Sequence, residues 1–368
     1  MADGGSVPHL LRGARQLAFR VADRLELSAH LGHSEWRRRR LLILGYHGVS
    51  LDDEHEWNPK LYLHPDTLRA RCELLRRDGY AVLPLDEAVR RLYDGTLPPA
   101  SVVLTFDDGN HDFAARALPV LREFGLPSTS YVPTFYSRVA HPVFDVACAY
   151  VAWKGRDCGS CAGDGLVPDG GSLRVGTAAD RVETVARLRA ACRARRLAVE
   201  EKDAVVRVLA ERLGVDYDAI LEKRLFRLMT PAEIARLPGQ GVDVQLHTHR
   251  HRSPDDRGLF VREIRDNRRE LRAMIGADAP LTHFCYPNGT ASNGLVSWLR
   301  DEGVVTATTC RPALATTADD PLLLPRFVDA ESLSLPTFSA WVSGAASLLT
   351  PWSPTARTPA RDASPRRP

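Results

Sequence analysis

The sequence predicts an α/β fold in which parallel strands form a sheet with helices on its outside. Three observations predict it. Short apolar runs alternate with helical periodicities from Leu41 onward, the pattern of repeated βα units. The run Val102–Phe106 ends on Asp107-Asp108-Gly109, and the run Val242–Leu246 ends on His247-Thr248-His249-Arg250-His251. In sheets of this kind ligands collect at the carboxyl ends of the strands, where these acids and histidines fall.

The elements follow in order. Leu41–Leu44 is a short buried strand, followed by Gly45-Tyr46-His47. Residues 65–77 are helical, with Leu68, Cys72 and Leu75 on one face, and Tyr80–Leu83 is the next strand. Leu85–Leu92 is a helix, Val102–Phe106 a strand, 112–124 a helix and 127–132 a strand. Residues 138–228 break the rhythm: a Gly/Cys/Asp-rich loop (155–172) precedes a long Arg/Ala-rich helical stretch (179–212). This segment is read as a mostly helical insertion covering one side of the site. Alternation resumes at Thr230-Pro231-Ala232-Glu233, where Thr caps, Pro opens and Glu sits three residues on, a capping box. Strand 242–246, helix 258–275, strand 282–286, helix 293–301 and strand 304–308 complete the pattern.

Two flanks stand apart. In residues 8–30 Leu10, Leu11, Leu17, Val21 and Leu25 alternate with arginines, an amphipathic spacing. It is read as a helix docked on the main domain, with peripheral contact at the inner membrane face as the functional alternative. The four arginines 37–40 are taken as a solvated junction and the tail from Thr350, rich in Pro, Ser, Thr and Arg, as disordered. The expected organisation is an N-terminal helix and linker (1–40), a barrel domain (41–348) and the tail (349–368).

Composition narrows the function. Of 368 residues 44% are hydrophobic and 26% charged, values of a globular protein with a substantial core. A net charge of +3 is too small for a nucleic-acid partner. The seven cysteines are odd in number and scattered, which suits a reducing compartment. Residues 1–30 lack the apolar stretch of a secretory signal. A cytoplasmic location is therefore expected. Cys158-x-x-Cys161 has no second pair in reach, so a zinc knuckle is disfavoured.

The chemistry concentrates at two strand ends. Adjacent carboxylates that lean into one pocket repel, unless a cation binds one and leaves the other ionised as a base. Three histidines in five residues are unusual for a core, because each neutral imidazole needs a partner. If a helical turn starts there, His247 and His251 share a face; if the strand continues, His249 joins them. Two histidines and one aspartate make the three protein ligands of a catalytic zinc site.

Thr105-Phe106-Asp107-Asp108-Gly109, His247-Thr248-x-x-His251 and Phe284-Cys285-Tyr286-Pro287-Asn288-Gly289 together resemble the NodB-type polysaccharide deacetylases. The resemblance runs from about Leu41 to Phe327, excluding the insertion. It implies a distorted (β/α) barrel and metal-dependent hydrolysis of N-acetyl groups on an amino-sugar glycan or its precursor. By position Asp107 resembles the catalytic base, and Asp108, His247 and His251 resemble the ligands of a divalent metal, Zn2+ first, then Co2+, Ni2+ or Mn2+. Asn288 stands where a backbone N–H would meet the oxyanion. Two departures matter. Cys285 occupies a position where many members have an arginine that pairs with the base, and Arg326 is the candidate replacement. The usual late Leu-x-x-His is missing, which leaves the general acid unassigned. Tyr46-His47 resembles the Tyr-His found early in a branch of the family that shares the Phe-x-Tyr-Pro-x-Gly motif. This resemblance implies His47 as the second catalytic group, with His249 and His283 as weaker candidates. The rival readings are a same-fold hydrolase of a small cyclic amide or imide, and a non-catalytic carbohydrate-binding relative.

Overall fold

Eight parallel strands build the central sheet of the computed structural model, which describes residues 31–349. They are β1 (Leu42–Tyr46), β2 (Ala81–Val82), β3 (Ser101–Phe106), β4 (Ser128–Val132), β5 (Val242–Leu246), β6 (His283–Cys285), β7 (Thr306–Thr308) and β8 (Phe327–Val328). Their spatial order is β7-β6-β5-β4-β3-β1-β8. On the edge of β3 away from β1, β2 pairs with its first residues and β4 with its last. The sheet curls onto itself. Leu324 bridges in parallel to Thr308 of β7, and Phe327 pairs with Leu44 of β1. One stretch of chain thus joins both free edges and closes a distorted barrel, leaving no long edge exposed.

Side chains alternate across the strands, and the two faces differ in chemistry. Leu42, Leu44, Val102, Leu104 and Phe106 pack outward with Leu68, Leu75, Phe260, Ile264 and Phe338 of the surrounding helices. Ile43, Val103, Tyr131 and Cys285 form a separate inner cluster with Leu85, Ala88, Val89 and Leu92 of helix Leu85–Tyr93. That helix plugs the barrel at the amino ends of the strands. Toward the carboxyl ends the buried side chains become polar: Thr105, Asp107, His247 and Arg326. An apolar plug at one end and polar groups at the other fix which mouth can do chemistry.

The expected helices and strands are present with small shifts at their ends, and three differences have physical causes. The helix expected over 112–124 opens with a widened turn, Phe113–Ala117, before Leu118–Glu123. Pro119 has no N–H to donate to the preceding turn, which loosens the ladder there. The long helix 179–212 is two, Ala178–Ala194 and Val199–Arg212, broken where Arg196 turns left-handed at φ 53°. The arginines 37–40 are not simply a solvated junction, because Arg37 is fully buried. It donates to the carbonyls of Ser101 (2.8 Å), Val342 (3.2 Å) and Arg40. Burial lowers its pKa to about 10, so it stays charged at neutral pH and ties Arg40 and Val342 to the start of β3. The amphipathic segment 8–30 and the tail from 350 lie outside the described residues. No helix among those described is long and apolar enough to cross a membrane.

The insertion forms its own core. Helices Phe144–Lys154, Ala178–Ala194, Val199–Arg212 and Tyr217–Glu222 bury Val151, Leu188, Leu209 and Ile220 together. The aromatic group Trp57, Tyr62, Tyr150 and Phe226, with ring centroids 4.8–6.1 Å apart, joins this core to the barrel rim.

The return to the barrel is set by the capping box. Thr230 Oγ1 accepts from the Glu233 N–H, and Glu233 accepts from the Thr230 N–H at 2.8 Å while holding Arg224 through two 2.8 Å bonds. Burial pushes the Glu233 carboxyl up, but Arg224 and Thr230 outweigh it and bring the pKa to about 2. A depressed pKa of this kind stabilises the fold at pH above the unfolded value, about 4.3, and is lost as pH falls through the folded one. Glu233→Gln should therefore lower the urea midpoint at neutral pH. The gap from wild type should close as pH falls from roughly 4.3 toward 2; a gap independent of pH would refute this account.

Candidate metal centre and active site

The chain leaves β3 at Phe106 and turns sharply. Asp107 and Asp108 would point to opposite faces of a continuing strand, but Asp108 is left-handed at φ 68° and Gly109 follows at φ 60°. Both carboxylates therefore reach the open mouth of the barrel. The second turn is built alike. After β5, Thr248 (φ 63°) and His251 (φ 52°) are left-handed, and the chain folds back so that His247 and His251 converge, ring centroids 4.9 Å apart. His249 turns away, its Nδ1 2.8 Å from Thr134 Oγ1. Such backbone conformations cost about 1–3 kcal/mol each and persist where their surroundings impose them. Helix Arg257–Ile275 imposes these: Asn267 Oδ1 accepts from the His247 N–H at 2.9 Å, and Glu263 accepts from the Arg250 N–H at 2.7 Å.

Asp108 Oδ1 lies 3.3 Å from His247 Nε2 and 3.1 Å from His251 Nε2. Three donors about 2.0–2.2 Å from one tetrahedral ion would be separated by close to these distances. Asp108 Oδ1 is also buried without a hydrogen-bond partner, so the cluster fits a cation by geometry and by an unmet need. Burial pushes the Asp108 carboxyl up, but the two imidazoles outweigh it and hold it well below the usual range. His247 Nδ1 sits 2.8 Å from the Cys285 carbonyl. A carbonyl can only accept, so Nδ1 carries the proton and Nε2 is left free as a ligand.

Asp107 belongs to a different set of partners. Its carboxylate receives two 2.6 Å bonds from Arg326, one from each terminal nitrogen. Burial raises the Asp107 pKa, and the Arg326 charge more than reverses this, holding the group below the ordinary range. Arg326 is completely buried and donates also to Thr105 Oγ1 (3.2 Å) and Cys285 Sγ (3.2 Å). Room for its guanidinium comes from Gly45, where a Cβ would lie 3.0 Å from Arg326 Nε. Cys285 Sγ packs 3.5 Å from Asp107 Oδ2, a neutral neighbour whose thiol burial pushes up. His47, one-fifth exposed, places Nε2 3.7 Å from Asp107 Oδ2.

These groups line one cavity of about 410 Å³ that contains His47, Asp107, Asp108, His247, His251 and Asn288. Asn288 is left-handed at φ 58°. Arg326 stands behind Asp107 and does not line the cavity. The far wall is made of residues not singled out in the sequence: Trp57 and Leu61 from the rim, Val143, Val146, Ala149 and Phe226 from the insertion. The weaker candidates lie elsewhere. His283 is buried toward the amino ends of the strands against Thr306 and Asp86, and Cys158 and Cys161 join no metal-binding cluster among the described residues. His111 and His141 have carboxylates at 3.2 Å, Glu233 and Asp203.

Residues 94–141, which include β3 and the Asp107-Asp108 turn, match the polysaccharide deacetylase family. The resemblance to the NodB-type polysaccharide deacetylases holds. Over 100 residues the chain is 30% identical to the poly-beta-1,6-N-acetyl-D-glucosamine N-deacetylases of Escherichia coli K12 and O157:H7, which is 27% of this chain and 14% of each relative. The chain thus matches only a small part of those deacetylases. Across most of its length it is similar in fold to deacetylase PplD of Streptococcus pyogenes, solved with acetate (TM-score 0.53, 17% identity, 81% of this chain and 96% of that one). IcaB from Ammonifex degensii gives a TM-score of 0.50 at 18% identity, over 83% of this chain and 97% of that one. The likeness of fold therefore extends well beyond the matched segment.

Proposed function

We propose that the chain is a metal-dependent hydrolase that removes N-acetyl groups from an amino-sugar-containing glycan or its precursor. The observation that carries this reading is that Asp108 Oδ1 lies within 3.3 Å of both His247 Nε2 and His251 Nε2, beside a second carboxylate with its own arginine. Asp108 Oδ1, His247 Nε2 and His251 Nε2 would hold the ion, for which zinc suits the donor set and Co2+, Ni2+ or Mn2+ are compatible. When bound, such an ion polarises the acetamide carbonyl and lowers the pKa of a water.

The chain's own residues do the rest. Asp107, kept ionised by Arg326, takes a proton from the water that attacks the carbonyl carbon. The Asn288 backbone, at the cavity wall, turns a donor toward the oxyanion. His47 supplies a proton to the sugar nitrogen as the C–N bond breaks, so that acetate and a free amine leave. An ionised base beside the ligands argues against a purely carbohydrate-binding role, which has no use for it.

The test is acetate release from N-acetylglucosamine oligosaccharides by protein loaded with Zn2+. Chelation should abolish the release and added metal restore it. Stoichiometric metal without cleavage of any acetamide or ester would refute the substrate class. The apolar wall supplied by Val143, Val146 and Phe226 favours one second reading, hydrolysis of a compact cyclic amide or imide. A screen that includes such compounds beside the oligosaccharides separates the two.

A further inference from the structure

Beside the metal-ligand cavity lies a second one of about 610 Å³, cut between the segment 135–145 and helices Ala178–Ala194 and Val199–Arg212 of the insertion. Tyr136, Val143 and Asp145 line both cavities, so the two share a wall. Their chemistry differs. The first is mostly apolar around its acids and imidazoles, whereas the second carries Arg189, Arg193, Arg196 and Lys202 against only two acids, Asp145 and Asp203.

Both acids are occupied. Asp145 lies 3.6 Å from Arg189, and Asp203 accepts from the Tyr217 hydroxyl at 2.6 Å with His141 at 3.2 Å. Glu201, also on helix Val199–Arg212, accepts from the Ala198 N–H at 2.7 Å. That leaves Arg193, Arg196 and Lys202, which make no ion pair among the described residues. Exposed arginines are common on this molecule, but those nearby are mostly paired: Arg138 with Glu270, Arg187 with Asp169 and Arg207 with Asp218. Three unpaired cations, Arg193 and Lys202 from the two helices and Arg196 from the turn between them, line one concavity, and that concavity adjoins the reaction site. Nor is the insertion basic throughout. Another cavity, between the insertion and the segment 52–56, is lined by Asp52, Asp53, Glu56, Asp157 and Asp216 against Lys154 and Arg156, and shares no residue with the active site. Like charges gathered in a concave site focus the field and attract a counter-charge.

We propose that this basic cavity is a subsite for an anionic group, a phosphate or a carboxylate, carried by the substrate next to its acetylated sugar. The inference rests on the deacetylase reading of the adjoining site and narrows it from neutral glycans to charged ones. The phosphate would come from a glycosyl phosphate or diphosphate precursor and the carboxylate from a uronic acid within a chain.

The test uses the full chain, the triple variant Arg193→Ser/Arg196→Asn/Lys202→Ser, and the charge-retaining Arg193→Lys/Lys202→Arg. Asparagine is chosen at position 196 because it tolerates the left-handed backbone found there (φ 53°). Calorimetric titration at low salt compares glucose 1-phosphate, glucuronate and, as the neutral control, glucose. The wild type should bind a charged probe more tightly than glucose, and whichever probe wins identifies the source. The triple variant should lose roughly tenfold or more of that affinity, a loss that shrinks as salt is raised, while the charge-retaining variant keeps it. Equal binding by the triple variant and wild type overturns the subsite. Acetate release from a neutral N-acetyl oligosaccharide should be the same for all three proteins. If none releases acetate, the deacetylase reading fails, and the titration still decides whether the anion site exists.

Discussion

His247→Ala is expected to lose both the bound metal and the activity, whereas Asp107→Asn should lose the activity and keep the metal. The distinction follows from two partner sets that meet without merging. His247 Nε2 faces Asp108 and shares it with His251, so its removal leaves two ligands, too few to hold a divalent ion in a three-ligand site. Asp107 is engaged instead by Arg326, and its amide analogue would leave Asp108, His247 and His251 in place. As a general base Asp107 should account for roughly 10²–10⁴-fold in rate; the His247 variant should fall further. Metal content by elemental analysis, measured on the same preparations as acetate release, checks both. Equal metal loss in the two variants would mean that Asp107 is itself a ligand.

Acid should act on the metal in the same direction. Burial lowers the His247 pKa, but Asp108 and Asp107 outweigh it, and the imidazole of the metal-free site holds its proton to higher pH than usual. Protons compete with the ion for Nε2, so metal affinity should weaken as pH falls through that raised value.

Much of the barrel was legible because its strands are buried on both faces. Val102–Phe106 reads as an apolar run and Val242–Leu246 as apolar residues alternating with Asp243 and Gln245, and both end where the chain turns into the site. The histidine cluster was legible in composition but not in geometry. Spacing alone left His249 open as a third donor, and what excludes it is the left-handed Thr248, which no propensity encodes. Helix Arg257–Ile275 carried a missed signal. Glu263 and Asn267 lie on the same apolar face as Phe260, Ile264 and Leu271, and buried polar groups at helical spacing mark a surface that something must satisfy. Here they hold the histidine turn. The insertion was legible as a cover over one side of the site but not residue by residue, since Val143, Val146 and Phe226 are ordinary core-forming residues until the fold brings them to the cavity. Arg37 was misread because four consecutive arginines look alike in sequence, and only packing against Val342 and Ser101 separates one from the rest.

Arg326→Met should be among the most damaging substitutions in the chain, and Asp107→Asn/Arg326→Met should recover much of the stability without the activity. Arg326 is fully buried, and it reaches Asp107 from the residue just before β8, more than two hundred residues along the chain. Removing it strands an ionised carboxylate in the interior, a loss of about 3–5 kcal/mol for buried pairs of this kind. Neutralising both partners removes the stranded charge, which separates the cost of an unpaired ion from the worth of the pair. The single variant should also carry a kinetic signature. Burial pushes the Asp107 pKa up and Arg326 pulls it below the usual range; without Arg326 the largest downward pull is gone and only the weaker ones of His47 and His247 oppose burial. Because a base must be ionised to accept a proton, the acidic limb of the pH–rate profile should move to higher pH in Arg326→Met, provided enough folded protein survives to assay. Arg326→Lys keeps a charge but not the paired 2.6 Å bonds and should fall between. An unchanged acidic limb in the lysine variant, together with wild-type stability in Arg326→Met, would detach this arginine from both the fold and the base.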